Sequence, residues 1–182
     1  MRSLVVLMSA TVLAFAPVQA LAQAPGASPA KPDAQTAAAK SQPIDLRQKR
    51  KGWHVYSTKY AFPDLVKRLE ESVKTHKMAV VNAASASDGA KAQGFTILGN
   101  RVVGVFRNDF ARRMLTVSTA AGIEAPIRFY ITEDPDGKAT LSYRSPSSVF
   151  APYVTRKAAD LGVMAKELDA IFAQIALETV GG

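Results

Sequence analysis

Five short segments of the chain carry the hydrophobic pattern of β-strands. They lie at 53–58, 78–87, 101–106, 125–133 and 138–143. In the fourth segment, Ile127, Phe129 and Ile131 alternate with Arg128, Tyr130 and Thr132, which is typical of a strand with one buried and one solvated face. The sequence DPDG at 134–137 predicts a hairpin turn between the last two strands.

Three other segments carry apolar residues at helical spacing. Leu65, Leu69 and Val73 predict an amphipathic helix over 63–76, and Phe110 and Met114 belong to a helix that Asn108 or Asp109 caps. A C-terminal helix has an apolar stripe formed by Leu161, Met164, Leu168, Ile171, Phe172 and Ile175. Residues 86–94 predict a loop or one weak helical turn, and residues 145–152 predict a loop.

Strands and helices therefore mix along the chain, in the order β-α-β-(weak α)-β-α-β-β-α. A hairpin late in such an order favours antiparallel strand pairing over a repeated βαβ unit. We predict an α+β fold in which helices pack on one face of a mainly antiparallel sheet. Residues 53–182 form this single domain.

Residues 1–22 have the layout of a secretory signal peptide. Arg2 gives a positive start, Leu4–Ala16 is an apolar run of 13 residues, and small residues precede Ala22, where we expect cleavage. A retained membrane anchor is the alternative, but this run is short for a span of about 20 residues. We therefore expect an exported protein in the periplasm, without a transmembrane segment in its mature form.

Residues 23–52 read as a flexible linker that ends in basic residues. The segment 23–43 is rich in Ala and Pro and contains no large apolar residue, so it cannot offset the entropy of ordering. The run RQKRK at 47–51 is either a solvated linker end or a weak contact with an anionic envelope surface.

The distribution of charge along the chain does not favour nucleic-acid binding by the folded part, and export also makes it unlikely. The formal net charge is +8, but residues 23–52 hold six basic and two acidic residues, whereas 53–182 hold 16 and 13. The folded part is therefore nearly balanced. We expect no nucleic-acid partner.

Composition removes several classes of enzyme. The chain has no cysteine and two histidines, His54 and His76, which excludes thiol nucleophiles, Cys-type zinc sites and a His₃ zinc site. No G-x-S-x-G elbow, dinucleotide fingerprint or P-loop is present. We therefore expect no catalytic residues, no resident metal and no cofactor.

Sequence blocks between Val102 and Tyr143 resemble the family called domain of unknown function 302. The blocks are FRND at 106–109, APIR at 125–128, ED at 133–134, DGK at 136–138 and SY at 142–143. The resemblance covers about residues 53–153. It implies a compact α+β fold of the TATA-binding-protein-like type and a homodimer, and it implies no established activity.

Four residues are candidates for a ligand site. Arg128 with Tyr143 would line a polar pocket for a carboxylate or phosphate, and solvent-facing cross-strand pairs are the alternative. Asn108 would offer its amide to a ligand or cap a helix. Glu133 belongs to an acidic group at the hairpin that is either a hard-cation site or turn chemistry.

These features favour a non-enzymatic periplasmic domain that binds a small molecule or a partner protein. The first alternative is a metal-handling protein or an enzyme centred on Arg128, Glu133 and Tyr143. The second is a protein of the cell-envelope surface that acts through the basic segment 47–51.

Overall fold

The structure, a computed structural model, describes residues 50–182. The predicted signal peptide at 1–22 and nearly all of the linker at 23–52 lie outside the described residues. Within the described part, no helix is both long and apolar enough to cross a membrane.

Five strands form one sheet, and five α-helices accompany it in the described residues. The strands are β1 (Trp53–Ala61), β2 (Ala79–Ala84), β3 (Asn100–Phe106), β4 (Ile127–Glu133) and β5 (Lys138–Arg144). The helices are α1 (Phe62–Thr75), α2 (Ala86–Ala92), α3 (Asn108–Val117), α4 (Pro146–Phe150) and α5 (Ala159–Val180). The sheet order is β1-β5-β4-β3-β2, and every neighbouring pair is antiparallel. The predicted α+β class with an antiparallel sheet is confirmed.

Helices α1 and α5 cover one face of the sheet. The ring of Phe172 on α5 stacks on Phe129 of β4, with centroids 4.8 Å apart, and neither side chain is exposed. Leu69 on α1 is fully buried in the same core, as is Leu141 on β5. This apolar interior is what the helical stripes and the alternating strand pattern predict, because both place large apolar residues on one side.

Polar contacts hold α1 to the C-terminal end of α5. The Arg68 guanidinium donates to the carbonyl oxygens of Thr179 at 2.7 Å and Glu178 at 2.9 Å. The Ser72 hydroxyl donates to the carbonyl of Ile175, and His76 lies 2.7 Å from the Glu178 carboxylate. A cation beside the last carbonyls of a helix is favourable because those groups lack partners within the helix.

Two segments are more regular than the sequence indicates. The predicted loop at 145–152 is wrong, since α4 occupies Pro146–Phe150 and a 3₁₀ turn follows at Ala151–Tyr153. Proline is compatible with the first turn of a helix, and burial of Val149 and Phe150 supports this short helix. The weak turn at 86–94 is helix α2, whose Ser85 cap accepts a hydrogen bond from the Asp88 backbone N–H.

Candidate ligand-binding site on the open face of the sheet

The sheet face opposite α1 and α5, which we call the open face, carries two adjacent rows of side chains across its strands. The first, the arginine row, runs Trp53, Arg144, Arg128, Gly104 and Asn82 from β1 to β2. Its central pair follows from the β4–β5 register, which sets Phe129 opposite Tyr143 and therefore Arg128 opposite Arg144. Residues that face each other across antiparallel strands share a face, so both arginines lie on the open face.

The second row, the tyrosine row, is mostly apolar. It runs Val55, Ser142, Tyr130, Val102 and Ala84 across the same five strands. The side chains of Val55, Tyr130 and Val102 are partly exposed, and Ser142 between them is fully buried. An apolar strip of this kind at the centre of an exposed sheet face favours contact with an apolar surface rather than with water.

Both rows line a groove of about 800 Å³. Trp53, Arg144 and Arg128 contribute from the arginine row, and Tyr130 and Val102 contribute from the tyrosine row. The volume lies within the range of about 300–1,000 Å³ that small-molecule sites occupy. Its walls combine apolar groups with a few polar groups, which is the composition that such sites show.

The charges in this groove are mainly positive. Arg128 is exposed and makes no ion pair with an acid among residues 50–182, whereas Arg144 donates to the carbonyl of Ser148 at 3.3 Å. Glu124 is the acid among the described lining residues, and its carboxylate accepts a hydrogen bond from the Tyr153 hydroxyl at 2.8 Å. That hydrogen bond raises the pKa of Tyr153.

Tyr143 borders the groove together with Arg128, but its side chain lies on the other face of the sheet. Its ring lies on the helix-covered face, 2% exposed, with centroids 4.7 Å from His54 and 5.0 Å from Phe129. Burial, followed by the nearby Tyr56, raises the pKa of the Tyr143 phenol above its ordinary value of 10.0. The phenol is therefore neutral at physiological pH. Its ring packs in the core, whereas Arg128 lies on the other face of the sheet.

Glu133 hydrogen-bonds the end of β4 to the segment before β3. Its carboxylate accepts a hydrogen bond from the Gly99 backbone N–H at 2.7 Å, and its own N–H donates to the Gly99 carbonyl at 2.7 Å. The neighbouring acids serve the turn: Asp134 accepts from the Thr140 hydroxyl, and Asp136 accepts from the Lys138 N–H. No group of three metal-binding side chains occurs within the described residues.

Asn108 is exposed at the first position of α3 and is not among the groove residues, and the cap position belongs to Arg107. The Arg107 guanidinium lies over the Phe110 ring and donates to the Asp109 carboxylate at 2.8 Å, which lowers the pKa of Asp109. The prediction that Asn108 or Asp109 caps this helix is wrong, because the chain becomes helical one residue earlier.

Arg144 and Trp53 line the groove, although neither is among the residues predicted from the sequence. Arg144 continues the alternation Lys138, Thr140, Ser142 along β5, so a strict period of two places it on the sheet face that does not carry Tyr143. Trp53 reaches the groove because β1, the first strand in sequence, pairs with β5, the last. Only this long-range pairing brings its ring beside Arg144.

Taken together, these features define an α+β domain that is closed by helices on one face of its sheet and offers a ligand-sized groove on the other. The chain belongs to the DUF302 family, since the family model "Domain of unknown function DUF302" matches residues 53–175.

Comparison with solved structures gives the same fold. The chain is similar to the protein in "Crystal structure of uncharacterized conserved protein DUF302 from Bacillus stearothermophilus", with a TM-score of 0.63 and 15% identity over 71% of this chain and 99% of that one. At this identity the likeness shows the fold alone. No curated protein matches the chain.

Proposed function

We propose that this domain is a binding module that holds a small molecule in the groove of its open face. The observation that carries the proposal is the groove itself, which joins an apolar floor to exposed cationic groups at the size of a ligand site. The described residues in it form no pairing of a nucleophile with a base. Binding is therefore the function that the geometry supports best.

The neutral apolar dye Nile red tests this proposal. The mature protein should enhance the dye's fluorescence, and Val102→Arg should abolish that enhancement because a long charged side chain then occupies the tyrosine row. Val163→Arg is the matched control, since Val163 lies on α5 outside the groove and is 60% exposed. Equal binding by wild type and Val102→Arg would contradict the proposal, as would loss of binding in Val163→Arg.

Export to the periplasm is part of the same proposal, and it rests on the sequence of residues 1–22. The mass of the protein purified from a periplasmic extract should correspond to a chain that begins at Gln23. A full-length mass in the membrane fraction would contradict it. The envelope-contact alternative stays a prediction, since Arg50 and Lys51 are exposed but the rest of that run lies outside the described residues.

The homodimer also stays a prediction, and the edge strand β2 supports it. All six of its residues are exposed and uncharged, and β2 pairs within the described sheet only with β3. Its free edge presents unpaired backbone groups, and pairing two copies of a neutral strand brings no like charges together. Light scattering should give a dimer mass that Val81→Lys lowers to a monomer mass, whereas a monomeric wild type would contradict this.

The metal or enzyme alternative draws no support from the geometry. Arg128 lies on the open face, Tyr143 is buried on the helix-covered face, and Glu133 is hydrogen-bonded to the backbone of Gly99. These three side chains do not converge on a common point.

A further inference from the structure

We infer that the groove selects ligands with an oxyanion, either a carboxylate or a phosphate, which Arg128 and Arg144 bind together. This inference rests on the proposed function, because it names the chemical class of the ligand in the same groove. The apolar body of that ligand would lie along the tyrosine row.

The two arginines occupy directly opposed positions on neighbouring strands. Arg128 lies on β4, the central strand of the sheet, and Arg144 lies opposite it on the neighbouring strand β5. Both side chains line the groove. Like charges at directly opposed positions of antiparallel strands repel each other. An oxyanion between the two guanidinium groups removes this repulsion and gains charge-assisted hydrogen bonds.

No carboxylate among residues 50–182 forms an ion pair with either arginine. Other arginines of the domain have carboxylate partners, such as Arg101 with Asp88 and Arg113 with Glu167, both at 2.7 Å. Neither Arg128 nor Arg144 has one in the described part of the chain. The acid on the groove rim, Glu124, is hydrogen-bonded to Tyr153.

The arginine row is closed at both ends. Gly104 is the next residue of the arginine row, and a Cβ there would overlap the Asn82 amide oxygen and come within 2.8 Å of the Pro126 ring. The Asn82 carboxamide can thus lie over Gly104 and close this end of the row. Trp53 closes the opposite end, so the oxyanion position is bounded on both sides.

The tyrosine row determines what else the ligand carries. Tyr130 is two residues from Arg128 on β4, and Val102 is two residues from Gly104 on β3, so each lies next to the arginine row on the same face. They form the floor of the groove beside the oxyanion position. A molecule with one anionic group and an apolar body satisfies both rows at once. A small hydrophilic anion satisfies only the arginine row.

Calorimetric titration of the mature protein with octanoate, octyl phosphate and octanol tests the inference, because the three compounds share one alkyl chain. We expect both anions to bind more tightly than octanol. Arg128→Gln and Arg144→Gln should each weaken anion binding about 10-fold to 100-fold, since each removes charged hydrogen bonds, and should leave octanol binding unchanged. Arg112→Gln, an exposed arginine on α3, is the matched control and should change nothing.

The melting temperature of the ligand-free protein adds a second measurement. Arg144→Gln also loses the hydrogen bond to the Ser148 carbonyl, so this measurement is made on Arg128→Gln. Its melting temperature should equal or exceed that of the wild type, because the substitution removes one of two repelling charges. A clear decrease would mean that Arg128 has a structural role, and it would overturn the inference.

The results separate the inference from the proposed function. If octanol binds as tightly as the anions and the arginine variants change nothing, the oxyanion site is refuted while the groove still binds apolar molecules. If Nile red binding is also insensitive to Val102→Arg, the proposed function fails as well. Preference for octanoate or octyl phosphate identifies which oxyanion the pair of arginines fits.

Discussion

Truncation of Phe172 should be among the most damaging single changes in the described core. The side chain is fully buried, and its ring lies 4.8 Å from the Phe129 centroid and 6.0 Å from the Tyr143 centroid. It therefore joins α5 to β4 and β5 at the centre of the helix-covered face. Phe172→Ala removes these contacts and leaves a cavity that the rigid sheet cannot fill.

The magnitude follows from the burial. Replacing a fully buried phenylalanine by alanine lowers the free energy of unfolding by about 3–5 kcal/mol. For a domain of this size, 1 kcal/mol corresponds to roughly 4 °C in melting temperature, so the expected decrease is about 12–20 °C. Phe172→Asp should prevent folding altogether, because it also buries an unpaired charge.

Urea unfolding and thermal melting followed by circular dichroism measure this change. Val163→Ala on the same helix is the control, since Val163 is 60% exposed and its truncation should shift the melting temperature by only a degree or two. If Phe172→Ala melts within a few degrees of that control, or if Phe172→Asp folds, then α5 does not hold the core as described.

Three further changes test other contacts by the same unfolding measurements. Glu133→Ala should lower the free energy of unfolding by about 1–3 kcal/mol because the partly buried Gly99 N–H loses its charged acceptor, whereas Glu133→Gln keeps an oxygen there and should retain most of the stability; equal losses would contradict this. The wild type should lose stability as pH rises above 10, because folding keeps Tyr143 protonated, and Tyr143→Phe should lose less between pH 10 and 11. Gly104→Ala should lower the melting temperature because its Cβ meets Asn82 and Pro126.

The strands and long helices could be predicted because their cause is local. The apolar stripe that ends at Ile175 has the helical period of 3.6 residues, and the alternation around Phe129 has the strand period of 2. Each period can be recognised within one segment. The short helix α4 could not be predicted in this way. Its burial depends on α5, which follows in sequence, and Pro146 is as compatible with a loop as with a first helical turn.

The open face could be predicted only in part, because its composition depends on strand register. The alternation of β4 alone predicts that Arg128, Tyr130 and Thr132 share a solvated face. Their neighbours on β5 depend on how the hairpin turns, and those on β1 depend on a pairing across most of the domain. Pairing between strands that are distant in sequence leaves no local pattern, so nothing around Trp53 in the sequence predicts that it lies beside Arg144.

The register of the β4–β5 hairpin follows from the length of its loop. The Asp134 N–H donates to the Lys138 carbonyl, and the Gly137 N–H donates to the Asp134 carbonyl, so residues 135–137 form a three-residue loop. Gly137 has φ +78°, the left-handed conformation that such a loop requires at its last position. A two-residue turn at the same place would instead have set Arg128 opposite Tyr143.

Deletion of Asp136 tests whether the length of this loop determines which side chains of β5 face the core. The deletion leaves two residues between Asp134 and Lys138. The hairpin can then close as a two-residue turn in the native register, or it can keep a three-residue loop and slip by one residue, which would turn Leu141 and Tyr143 out of the core and Ser142 and Arg144 into it. If the three-residue loop fixes the register, the deletion variant should be unfolded, whereas Asp136→Ala, which keeps the loop length, should fold. A folded deletion variant that still binds octanoate would show that core packing, and not the loop, fixes the register. In that case the pairing of Arg128 with Arg144 would be a consequence of the buried face alone.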